Sequence, residues 1–190
     1  MAIPTQPEIA SSLYGAWRLA RLDRNGLTYF DRSYDGFWKS FFAAAIAAPA
    51  HFGLLFFTAG PEGVMPFGLG SLLAEGLLYA VSWLAFPVAM IHIAEMLGRS
   101  ERYYDYMVAY NWAGVWQIAL FLFVTMLSVA GILPPGIASM VTLVAFIAIL
   151  AYQWFIARVG LDIGGGAASA VVLADLVIGL LVRSLGRLLG

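Results

Sequence analysis

Cysteine is absent from these 190 residues, and charge is scarce. Without thiols there are no disulfides, no thiolate metal sites and no thiol nucleophile. Only 11% of the residues are charged against 62% hydrophobic, and the mean hydropathy is +0.87. Soluble domains carry about 25% charge, so a soluble fold is not expected. A net charge of −1 leaves no electrostatic footprint for nucleic acid. Also missing are a glycine-rich phosphate loop, a Gly-x-Ser-x-Gly elbow and a His-Glu-x-x-His zinc motif. No catalytic set, metal site or cofactor is expected.

What the chain has in abundance is long apolar runs: Phe41–Ala59, Gly70–Leu97, Met107–Ala130, Ile137–Ala157 and Ala167–Val182. A helix needs ~20 such residues to cross the hydrocarbon core, and backbone groups there must be satisfied internally. Met107–Ala130 and Ile137–Ala157 carry no charge at all. The expected class is an all-α integral membrane protein, a bundle of five transmembrane helices preceded by an amphipathic interfacial helix. Residues 1–39 form a cytoplasmic leader and residues 40–190 the membrane domain. The first apolar run begins too late for a cleavable signal peptide, whose apolar region falls within about the first 30 residues.

The basic residues set the orientation. Arg18, Arg21, Arg24, Arg32 and Lys39 precede the first span, Arg99 and Arg102 follow the second, and Arg158 follows the fourth. The turns Gly60–Leu69 and Gly131–Gly136 hold none. The positive-inside rule then places the N-terminus in the cytoplasm. Five crossings put the C-terminus outside, although Arg183 and Arg187 in the tail and Asp175 within the last segment leave a re-entrant alternative.

In the leader, Ile9, Leu13, Trp17 and Ala20 recur at helical spacing, and Arg18, Arg21 and Arg24 lie off that line. This predicts a basic helix over residues 8–24 in the headgroup layer, its arginines on lipid phosphates. Leu13, Trp17, Arg18, Arg21 and, further on, Trp38 are the expected interfacial anchors. Asn25-Gly26 breaks the helix. Pro87 and Gly98 punctuate the second span, and Tyr103, Tyr104, Tyr106 and Tyr110 form an inner aromatic girdle. Pro134-Pro135-Gly136 makes a tight turn. In the last span Gly166, Ala170 and Ala174, with Gly179 on a neighbouring stripe, predict close helix packing.

Ionisable groups inside a membrane are costly, which makes them functional candidates. His92, Glu95 and Arg99 share one face of the second span, a candidate proton-handling stripe. The alternative is a pair that fixes helix packing beside an interfacial arginine. His51 sits deeper, on the first span, and is expected to stay apart from His92, its ring satisfied by a backbone carbonyl. Asp175 needs a neighbour from another helix, with Asn111, Gln117 and His51 as candidates. Glu62 and Glu75 fall at or beyond the outer interface and need no special role.

From His92 to Tyr110, the residues His92, Ala94, Leu97 and Gly98 close one helix, and a polar aromatic stretch leads to Ala109-Tyr110 and the next. This stretch, with the layout of residues 37–185, resembles the bacterial members of the Yip1 family of five-helix membrane proteins. The Asp-Leu-Tyr-Gly-Pro signature of the eukaryotic members is absent. The resemblance implies a non-enzymatic helper in membrane organisation, in a bacterial inner (cytoplasmic) membrane. The functional expectation is therefore a scaffold or accessory subunit that works with the bilayer and with a membrane-protein partner or a second copy. A small transporter or channel using His51, His92, Glu95 and Asp175 is the alternative.

Overall fold

The computed structural model describes residues 3–58 and 69–189. Glu62 and residues 59–68 of the expected first turn lie outside the described residues. The described chain is helical and contains no strand. Seven α-helices follow in order: α1 Gln6–Ala20, α2 Tyr34–Ser40, α3 Phe42–Thr58, α4 Leu69–Met96, α5 Tyr103–Val129, α6 Pro135–Gly160 and α7 Gly165–Leu189. Among the described residues, four stretches are long and apolar enough to cross a membrane: Leu72–Met96, Ser100–Val129, Pro135–Gly160 and Gly165–Gly186. The first expected span corresponds to α3, which has 17 residues.

The helices end where the backbone can reverse. Gly98 has φ +63, and the Arg99 N–H donates to the Ala94 carbonyl at 2.8 Å. Gly131, with φ +69, repeats the motif, the Ile132 N–H reaching the Leu127 carbonyl at 3.1 Å. In this left-handed cap a glycine satisfies the last carbonyls without a Cβ clash. Leu22 (φ 58) after α1 and Asp162 (φ 53) after α6 hold the same conformation with side chains attached. Pro134-Pro135 opens α6, where a missing N–H costs nothing. α5 starts at Tyr103, four residues before the expected span, because no breaker separates the aromatic girdle from the apolar run.

α5 is the centre of the bundle and packs against α1, α2, α3, α4 and α6, while α7 lies against α4 and α6. The core is concentrated where α5 begins and α6 ends. Leu19, Phe86, Met90, Tyr106, Met107 and Ile156 are fully buried there.

The leader is part of this core. α1 lies along the first half of α5 and the last part of α6. The Trp116 indole donates to the Leu13 carbonyl at 3.0 Å, and the Tyr152 hydroxyl to the Ala16 carbonyl at 2.6 Å. The buried face of α1 is Ser12, Gly15, Ala16 and Leu19, shifted from the expected Ile9–Leu13–Trp17–Ala20 line. Close approach explains the shift. A Cβ on Gly15 would stand 2.8 Å from the Gly26 carbonyl oxygen, and one on Gly26 would stand 2.6 Å from that of Gly15. The chain after α1 therefore folds back against it at backbone contact. The helix is also shorter than expected: Arg24 belongs to a 3₁₀ turn, Arg24–Tyr29.

The packing face expected on α7 is also corrected. Gly166, Ala170 and Gly179 are exposed and Ala174 only half-buried; Val171, which shares the Gly179 stripe, is buried, as are Ala168 and Val172 off both stripes. A branched apolar side chain fills more of the space between helices than a glycine does, so here the inward face carries the bulk.

Candidate functional site

A polar layer joins the three helices α5, α6 and α7. The Tyr110 hydroxyl donates to Asp175 Oδ1 at 2.7 Å, and Gln153 Nε2 donates to Asp175 Oδ2 at 3.1 Å. Gln153 Nε2 also lies 3.4 Å from Gln117 Oε1. The Asp175 carboxylate is therefore held by two neutral donors from two neighbouring helices. Gln153 Oε1 is buried with no partner among the described residues. Of the neighbours expected for Asp175, Gln117 stands one bond away through Gln153. Asn111 instead donates to Ser40 Oγ at 2.8 Å, and the Ser40 hydroxyl donates to the Phe37 carbonyl at 2.6 Å, tying α2 to α5.

The other candidates do not join this layer. His51 on α3 stacks against Tyr79 of α4, ring centroids 4.6 Å apart, and touches Phe52. The Tyr79 hydroxyl itself donates to the Ala44 carbonyl of α3 at 2.6 Å. His92 and Glu95 are exposed on α4. Arg99 reaches away from them, its Nε donating to the Asp162 carbonyl at 3.3 Å. No hydrogen bond or ion pair among the described residues links His51, His92, Glu95 and Asp175, and no group of three or more metal-binding side chains occurs there.

The N-terminal cap holds a second set of polar contacts. Lys39 of α2 pairs with Glu8 of α1 and with Asp35, each at 2.9 Å. Glu8 also closes a capping box with the Thr5 backbone N–H (2.6 Å) and hydroxyl (2.8 Å). The Thr5 N–H, followed by the Lys39 ammonium, holds the Glu8 carboxyl down at about 2. Asp35 and Glu8 in turn raise Lys39 above its ordinary value. Arg18 pairs with Asp23, donates to the Tyr29 hydroxyl at 3.0 Å and lies over the Tyr14 and Tyr29 rings. The guanidinium lowers the Asp23 carboxyl below the usual range. Arg18, expected on lipid phosphates, is thus committed within the protein, while Arg21 and Arg24 are exposed. Arg32 and Arg102 both reach Asp105 at the start of α5, at 3.2 and 3.0 Å.

The other expected anchors divide in the same way. Trp17 is 44% exposed and lies against Trp116, centroids 5.5 Å apart. Leu13 packs partly on the core, and Trp38 sits in a ring cluster with Tyr34, Phe37 and Phe41. Gln153 and Ser40 are the polar residues that sequence reading missed. Gln153 had a signal, since an amide in an otherwise apolar, uncharged span needs a partner. No family model, curated protein or solved structure matches this chain.

Proposed function

We propose that this chain is a non-enzymatic, multi-pass membrane scaffold or accessory subunit. In this reading α3 completes a set of five spans, the N-terminus is cytoplasmic, the C-terminus is outside, and the membrane is a bacterial inner membrane. α1 then lies at the headgroup level with Trp17, Arg21 and Arg24 turned outward, consistent with the Yip1-like layout. The observation that supports the reading is how the polar groups of the spans are used. Asp175 is held by Tyr110 and Gln153, and Asn111 by Ser40. Each contact joins two elements of the chain, the usual work of polar groups between membrane helices.

A small transporter is the second reading, favoured by the unpartnered Gln153 Oε1 beside the Asp175 carboxylate. Ion and proton flux across proteoliposomes separates the two. The scaffold reading expects no flux above that of empty liposomes. A flux that Asp175→Asn abolishes while the fold survives would replace it with transport.

A further inference from the structure

The cap encloses a cleft of about 370 Å³ between α1, the Thr28–Asp31 segment, α2 and the start of α5. Its volume is in the range of small-molecule sites, ~300–1,000 Å³. Val108, Trp112 and Phe30 give it an apolar base. Ser12 and Trp112 also line it, and they are only 7% and 2% exposed. Neither the Ser12 hydroxyl nor the Trp112 indole N–H bonds to a described residue. Among those residues the only sealed, unpartnered side-chain polar atoms are Asn111 Oδ1 and Gln153 Oε1. The Ser12 and Trp112 groups are therefore not sealed, and both residues line the cleft. Two largely buried residues with unused donors thus line one cleft, and leaving such groups without a partner is unfavourable.

Charge decides what they could receive. Glu8 and Lys39 both line the cleft but neutralise each other, and Asp35 takes a further share of the same ammonium. Lys39 is thus committed, and an anion entering the cleft would find no unspent cation. Asp31 remains: its Oδ1 accepts only the Ser33 N–H at 3.1 Å, and the residue is exposed at the cleft. The lining is left with net negative charge, an aromatic and apolar base, and two deep hydrogen-bond donors.

We propose that this cleft binds a small organic amine whose ammonium pairs with Asp31, whose carbonyl or hydroxyl oxygen accepts from Ser12 and Trp112, and whose apolar part rests on Val108 and Phe30. This goes beyond the scaffold reading and does not depend on it. The same charge argument disfavours phospholipid headgroups, whose phosphate would meet Asp31 and a committed Lys39.

Titration calorimetry on the full-length protein in detergent, with L-leucinamide as the probe, tests the site. One molecule should bind per chain, and N-acetyl-leucinamide, which lacks the cation, should bind more weakly, as should leucine, which adds a carboxylate. Asp31→Asn keeps the acceptor for Ser33 and should weaken leucinamide roughly tenfold, the scale of a charge-assisted bond. Ser12→Ala removes a group that supports nothing in the fold. It should leave the unliganded melting temperature unchanged or raised, yet weaken leucinamide roughly three- to tenfold. The proposal is overturned if the wild type does not bind leucinamide, if both variants bind it as well as the wild type, or if N-acetyl-leucinamide binds equally.

Discussion

Where α5 begins and α6 ends, Leu19, Met90, Tyr106, Met107, Ile156 and Leu161 are shut away, wrapped by α1, α2 and a 3₁₀ turn. Around the turn at Gly131, by contrast, Phe123, Met126, Ile137, Met140, Leu143 and Val144 are all exposed. The capped end also holds the ion pairs of Glu8, Lys39, Arg18 and Asp105. At the other end, three hydroxyls of α5 and α6 bond back to their own helices: Ser128 to Val124, Ser139 to Pro135, Thr142 to Ala138. Both ends are apolar, yet only one buries its side chains against protein. In the membrane reading a bilayer would supply the missing cover at the other, since a lipid tail solvates a leucine as well as another leucine does. The capped end is held by packing that would also work in water.

The largest effect should come from deleting the same side chain at each end. Leu19 is 0% exposed and Leu143 58%. Leu19→Ala leaves a cavity between α1, the folded-back turn and α5, and should cost ~2–5 kcal/mol. Leu143→Ala shortens an exposed side chain and should stay within ~0.5 kcal/mol. Unfolding in mixed detergent micelles measures both. Equal losses would show that the two ends are packed alike.

Asp175 lies between these regimes, a polar contact within an apolar span. Interhelix polar contacts in membranes average about 0.6 kcal/mol and seldom exceed ~2. Asp175→Asn keeps an oxygen for the Tyr110 hydroxyl and should change resistance to detergent unfolding by about that average. Asp175→Leu strands the Tyr110 hydroxyl, leaves Gln153 only its long contact with Gln117, and should approach the upper figure, with α7 the first helix to become accessible to proteolysis. If Leu were as well tolerated as Asn, the layer would not be holding α7.

The same contrast explains what could be read from the chain. Four helices long and apolar enough to cross a membrane were legible because twenty apolar residues have few other uses, and their ends because Gly98, Gly131 and Pro134-Pro135 each block continuation. The inward face of α7 was not, because protein and lipid both select apolar side chains. Gly166 and Ala170 resemble a packing stripe whichever medium they face. In α1 the pattern was present but misassigned by one position. Ser12, Gly15 and Ala16 are buried for their small size, which a reading based on hydrophobicity passes over. Asp175 was visible as an anomaly in its helix. Its partner Gln153 depends on the rotation of α6 about its axis, which an evenly apolar span does not encode.

A smaller effect concerns the junction that lets the cap fold back. Leu22 holds φ 58 with its side chain 60% exposed, so the position carries backbone strain with little packing in return. A left-handed conformation costs a residue with a Cβ about 1 kcal/mol more than it costs glycine. Leu22→Gly should therefore stabilise the cap by up to ~1 kcal/mol, less the extra entropy glycine gains when unfolded. Slower amide exchange in α1 with unchanged exchange in the half of α6 next to Gly131 would confirm it. Faster exchange in α1 would mean that the Leu22 side chain, against its exposure, helps hold the cap.

Acid should separate the two ends by the smallest margin, because the groups involved are open to solvent and their pairing is screened. Glu8 is lowered from 4.5 to about 2 by the Thr5 N–H and Lys39, and Asp23 is lowered by Arg18. A depressed carboxyl stabilises the fold fully above its ordinary value and loses that contribution as pH falls towards the folded value. For Glu8 the window runs from about 4.5 down to about 2. Lys39, raised by Asp35 and Glu8, behaves in the opposite sense: its contribution is complete below 10.5 and is lost only as pH rises beyond it. Between these limits the attachment of the cap should not change with pH. Amide exchange in α1, corrected for the intrinsic rate, should be level from pH 8 to about 5 and should accelerate below about 4. Exchange in residues 135–148 should not follow, since that part of α6 lies away from α1 and has no titrating partner. Raising the salt concentration should shrink the acid effect, and Glu8→Gln should remove most of it. An acid response of equal size in both regions would place its origin outside the Glu8–Lys39 and Arg18–Asp23 contacts.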